Sequence, residues 1–194
     1  MENKFTKLYR IWHWLLAFSV LGLLATVALR KTFLSWRTNS EIIQTELANN
    51  GIEVSAEIAK ATAKAIRSGM WEWHYILAVF LAIAIIIRLY MVITKKIELP
   101  IITFLKATGK DKLKHGVHIL LCLFILLMAI SGGILYFYEE LGFTKDAIHW
   151  LKDTHENMMF AVLGLVVLHI AGVVMHELTT KESIVSKMIH GDKD

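Results

Sequence analysis

HENMMFAVLGLVVLH, His155 to His169, is the stretch whose reading decides the fold. Two histidines bracket thirteen residues that are almost wholly apolar, and nothing in the run breaks a helix. Fourteen residues advance an α-helix by about 21 Å and leave it about 40° short of four full turns. The two imidazoles therefore project from nearly one face, at two depths of a structure about as thick as a bilayer core.

Three more apolar runs accompany it. The four are roughly 11–29, 75–93, 117–137 and 158–175 in a chain of 194 residues that is 56% hydrophobic. About 20 apolar residues cross a membrane, and unbroken runs of this length exclude barrel strands. The expectation is an all-α membrane protein: one domain over 1–194, a four-transmembrane-helix bundle with helices at about 11–29, 71–93, 115–138 and 155–178. Lys4, Lys7 and Arg10 precede the first run as in a secretory signal. The run is long for a signal and no small-residue cleavage site follows, so it is read as a retained helix.

The net charge of +4 does not point to nucleic acid, because it is spread by side of membrane. Three basic residues in the N-terminal tail, six lysines between 94 and 115, and Lys181, Lys187 and Lys193 fall on one side. Eight basic residues, diluted by acids, fall on the other. The positive-inside rule then favours both termini in the cytoplasm. Tryptophans 12, 14, 71, 73 and 150 lie near helix ends, where an interfacial belt accounts for them. Cys122 is the only cysteine, so no internal disulfide and no covalent c-type attachment exist; it is read as a small packing residue.

The 30–70 segment is too long for a plain connection. It reads as an outer loop with two short helices. Ser40 caps one over 41–49, with Asn50-Gly51 as its stop; Ser55 caps the other over 56–67, with Ser68-Gly69 as its stop. Ile42, Ile43, Leu47, Ile58 and Ile66 give the pair an apolar side, suited to a lid packed on the bundle or to a docking surface. Pro100, the only proline, lies in the inner loop, where 97–104 is apolar enough to lie in the interface.

With the termini inside, His13 opens helix 1 near the inner face and His74 opens helix 2 near the outer face. His155 is outer and His169 is inner on helix 4. The levels pair His74 with His155 and His13 with His169. Each level offers two imidazoles from different helices, which is too few for an isolated zinc or copper ion. Two axial imidazoles do complete a haem iron, leaving no open coordination position. The spacing thus suggests two haem b groups in an electron-transfer protein. Arg88, fourteen residues after His74, reaches the inner level and can pair with a propionate, or snorkel toward Lys95 and Lys96. Arg10, one turn before His13, serves the same role or anchors the interface. Gly164, between the two helix 4 ligands, is the glycine placed to lie beside a flat macrocycle. His115 and His118 are read as solvated juxtamembrane residues, with approach to a quinone headgroup as the alternative, and His149 and His190 as exposed. His176 is the competitor for the inner ligand position.

The segments Tyr9-Arg10-Ile11-Trp12-His13-Trp14 and Met70-Trp71-Glu72-Trp73-His74, with Arg88, the His155 and His169 helix and Met188-Ile189-His190-Gly191, resemble bacterial b561-type cytochromes and the cytochrome b subunits of nickel-iron hydrogenases. The resemblance spans nearly the whole chain. It implies a four-helix subunit with two b haems that passes electrons between the quinone pool and a periplasmic-side redox protein or catalytic subunit. It also implies that His13, His74, His155 and His169 are the ligands. Related cytochromes serve hydrogenases and formate dehydrogenases, and some b561-type members are stand-alone superoxide:quinone oxidoreductases, which is the alternative reading. The two-helix outer loop departs from the shortest members and leaves the partner open. Membrane lipid and quinone are implied as contacts, and a homo-oligomer is left open. The chain is expected to be a subunit of an oxidoreductase complex more than an enzyme by itself.

Overall fold

The computed structural model describes residues 5–180 and 183–191, with only the backbone of Lys110. Lys4, Lys181 and Lys193, counted in the charge asymmetry, lie outside them. Every regular element among the described residues is a helix: α1 Lys7–Lys31, α2 Trp36–Asn49, α3 Ala56–Ile93, α4 Pro100–Lys106, α5 Gly109–Tyr136, α6 His149–Thr180 and α7 Ile184–His190. Four of them, α1, α3, α5 and α6, are long and apolar enough to cross a membrane. Pro100 stands in the first turn of α4, where its missing N–H is not needed, so no spanning helix carries a proline kink.

Several expectations about the 30–70 segment are corrected. The helix expected over 56–67 is not a separate element but the first part of α3, which runs unbroken for 38 residues. Ser55 does cap it, its Oγ accepting from the N–H of Ile58 at 3.3 Å. Ser68-Gly69 does not stop it. The Ser68 hydroxyl donates to the carbonyl of Ala65 within the helix, and a lone glycine costs a helix only about 1 kcal/mol. In α2, Ser40 is not the cap; the helix begins at Trp36, and Ser40 lies inside it, donating to Arg37 O at 2.9 Å. Asn50 does end α2, with Gly51 at φ +76° just beyond. Ile42, Ile58 and Ile66, which belong to the apolar side read from the sequence, are exposed.

The chain forms two compact units, Leu15–Leu81 and the residues up to Trp14 together with those from Ala82 onward. In the first, α1 packs on α3 through small and hydroxylated residues. A Cβ at Gly22 would stand 2.9 Å from Leu77 Cδ1, so the glycine is what lets the helices approach there. Beyond the α1 end, the Trp36 indole has Arg37, Lys60 and Lys64 within 6 Å of its centre, at 5.0, 4.9 and 5.9 Å. In the second unit, α5 packs on α6 and α4 on α5. The start of α1 is tied to α3 and α7: Trp12 Nε1 donates to Ala84 O at 2.9 Å, Trp14 Nε1 to Met188 O at 3.1 Å, and Arg10 Nη1 to Ile189 O at 2.9 Å. Trp12 is therefore not an interfacial belt residue. It is 6% exposed, because a buried indole N–H needs an acceptor and Ala84 supplies one. Trp73 and Trp150, by contrast, are well exposed.

Candidate functional site

The start of α1 presents His13 to α6. The His13 and His169 rings are 6.4 Å apart between centres. His13 Nδ1 is buried and has no hydrogen-bond partner among the described residues. A buried polar atom without a partner is costly, so the position is suited to a ligand that occupies the ring. His169 is held from its other side: its Nδ1 lies 3.2 Å from Nε2 of His118 on α5. His118 is thus half-buried and bonded, not a solvated juxtamembrane residue, because its turn of α5 faces α6.

Arg88 sits over the Trp12 ring, 4.7 Å from its centre, and forms no ion pair among the described residues. Stacking on Trp12 and a side-chain hydrogen bond with Tyr9 position the guanidinium. Arg10 caps α7 through Ile189, and its Nε is buried without a partner among the described residues.

His74 and His155 share one local arrangement, each within its own unit. The Nδ1 of His74 lies 2.8 Å from Thr26 Oγ1 on α1, and the Nδ1 of His155 lies 2.8 Å from Ser131 Oγ on α5. Thr26 and Ser131 are 6% and 4% exposed. Next to Ser131, a Cβ on Gly132 would stand 3.2 Å from His155 Cε1, so glycine makes room for the ring. Gly164, singled out from sequence, faces open space: an added Cβ there meets nothing within 4 Å.

Sequence reasoning missed Thr26 and Ser131, and it read His118 without its bond to His169. The remaining histidines have lesser roles. His149 pairs with Asp153 at 3.2 Å at the exposed start of α6. No ring contact joins His176 to His13 among the described residues, and the His176 carbonyl accepts from the Thr179 and Thr180 hydroxyls. Cys122 is exposed instead of packed.

The donor set tests what these residues can hold. Among the described residues no three His, Cys, Asp or Glu side chains converge on a bare metal ion. Two imidazoles on opposite faces of one iron stand about 6 Å apart between centres, since metal–nitrogen bonds are about 2 Å. The 6.4 Å between His13 and His169 fits that spacing. An iron whose other four ligands come from a porphyrin suits the arrangement, with Arg88 near as a cation for an acidic substituent.

No curated protein and no solved structure matches the chain. Residues 4–191 match the family model described as prokaryotic cytochrome b561. The chain belongs to that family: it is an all-α, multi-pass membrane b-type cytochrome of the four-helix haem class, it binds haem b, and it works in electron transfer.

Proposed function

We propose that this prokaryotic cytochrome b561 holds two haem b groups and transfers electrons between the membrane quinone pool and a redox partner on the periplasmic side, as the cytochrome subunit of an oxidoreductase complex. The observation that carries the reading is the His13–His169 pair, with its rings 6.4 Å apart and His13 Nδ1 buried and unpartnered among the described residues. These two are the ligands of an inner haem. His74 and His155 are the ligands of an outer one, an assignment that rests on depth along the sequence. His74 precedes Arg88 by fourteen residues on α3, and His155 precedes His169 by fourteen on α6.

Arg88 supplies the cation for an inner propionate, steadied by Trp12. Arg10 adds a second through its buried Nε. The open space beside Gly164 leaves room for a macrocycle edge. Haem b, when bound, would supply a one-electron couple, with these histidines as the residues that would hold its iron. The basic residues of the tails and the 94–115 loop support a bacterial inner-membrane location with cytoplasmic termini.

The test is a reduced-minus-oxidised spectrum with a haem-to-protein ratio on purified protein, followed by quinol-driven reduction in liposomes. The reading expects a b-type spectrum, about two haems per chain and reduction by quinol. A ratio near one, or failure of quinol to reduce either haem, overturns it.

The Trp36 cluster favours a second reading, a stand-alone superoxide:quinone oxidoreductase. Arg37, Lys60 and Lys64 converge on one indole, and none is ion-paired among the described residues. Such a patch attracts small anions. Quinone reduction by superoxide with the purified chain alone supports this reading, and none at all removes it.

A further inference from the structure

Two hydroxyl–imidazole bonds of the same kind stand in the two units of the chain. The Thr26 hydroxyl donates its proton to Leu23 O at 2.7 Å, and the Ser131 hydroxyl donates to Leu127 O at 2.7 Å. A hydroxyl has one proton. With it committed to a carbonyl one turn back, the oxygen can only accept from the imidazole 2.8 Å away. Nδ1 of His74 and Nδ1 of His155 must then each carry a hydrogen. In the neutral ring this makes Nε2 the basic nitrogen.

Back-bonding alone is ordinary for serine and threonine in apolar helices. Ser19 shows that ordinary form, donating to Leu15 O at 2.7 Å with no hydrogen bond to an imidazole among the described residues. The distinction at Thr26 and Ser131 is the second bond, from buried hydroxyls to histidines on other helices, 48 and 24 residues away in sequence.

We infer that Thr26 and Ser131 are positioning residues that lock His74 and His155 in the Nδ1–H tautomer and present Nε2 for axial ligation. The inference rests on the assignment of these two histidines as haem ligands. The hydroxyls touch no reacting atom and act through the rings. Accepting the hydrogen bond from Nδ1–H orients each ring and makes its Nε2 a stronger donor, which favours the ferric iron. Loss of such an outer contact typically weakens a metal site about 10–100-fold.

The test uses the full chain with its haems. Thr26→Val removes the hydroxyl at nearly constant shape, and Ser131→Ala does so in the other unit. Each is expected to move one haem's midpoint potential upward, to change that haem's low-spin ferric resonance, and to speed its loss about 10–100-fold, while the other haem stays as in the parent. Thr26→Ser, which keeps the hydroxyl, restores the parent values. Both deletions leaving potential, resonance and haem retention unchanged overturns the inference, even if His74→Ala and His155→Ala each remove a haem. If those two histidine variants keep both haems, the ligand assignment itself fails instead. Should one deletion variant fail to fold, the other still decides, since the two bonds lie in separate units.

Discussion

The Nε2 atom of His118 lies 3.2 Å from the Nδ1 atom of His169. This bond orients the ring that stands 6.4 Å from His13, and leaves the far nitrogen of His169 for ligation. His118→Phe keeps an aromatic ring and removes the hydrogen-bonding nitrogen. One haem is expected to shift its midpoint potential and to dissociate about 10–100-fold faster, with haem content retained in the fresh protein. Redox titration and competition with an apo-haemoprotein check this. Immediate loss of one haem makes His118 a ligand in its own right.

His74→Ala and His155→Ala are expected to remove the same haem, and His13→Ala and His169→Ala the other. Haem-to-protein ratio and potentiometry on the four variants check the pairing. If His155→Ala silences the same haem as His13→Ala, the pairing by depth is wrong.

Trp12→Phe deletes the donor to Ala84 O but keeps a ring beneath Arg88. Hydrogen bonds between helices in membranes average about 0.6 kcal/mol and reach about 2. Trp12→Leu also removes the cation–π contact, worth about 0.5–2 kcal/mol more. Chaotrope unfolding in detergent should rank parent, Phe and Leu in that order. Equal stability of Phe and Leu variants would show that the Arg88 stack contributes nothing.

Gly132→Ala and Gly164→Leu separate two kinds of glycine. A Cβ at residue 132 lies 3.2 Å from His155 Cε1, so the imidazole must yield by a few tenths of an ångström. That variant should alter the outer haem's ferric resonance. Residue 164 has open protein space, so Gly164→Leu should fold normally and lower haem content only if a macrocycle edge occupies that space. Normal folding with full haem content removes Gly164 from the binding residues.

The candidate residues were legible because a membrane chain writes its polar exceptions plainly. In an apolar run, His13, His74, Arg88, His155 and His169 stand out, and the helix rise converts their numbering into depth. Thr26 and Ser131 did not stand out, since a hydroxyl is tolerated in any membrane helix by bonding its own backbone. Trp12 was misjudged because position near a helix end suggests a belt, whereas its N–H had found Ala84 O. Ser68-Gly69 was misjudged because a serine–glycine pair ends a helix only when the chain has a reason to turn, and here α3 continues.

The sequence by itself determined the four spanning helices, the fourteen-residue interval from His155 to His169, and the all-histidine donor set. These are local quantities: hydropathy sets a span, and a fixed rise and rotation per residue set distance and face along one helix. Only the tertiary structure decided which atom each ring nitrogen meets. Thr26 reaches His74, Ser131 reaches His155 and His118 reaches His169 across 48, 24 and 51 residues of chain. Those meetings depend on how each helix is rotated and how far it slides against its neighbour. Side-chain packing and hydrogen bonds between helices set that rotation, and no interval within a single helix encodes it.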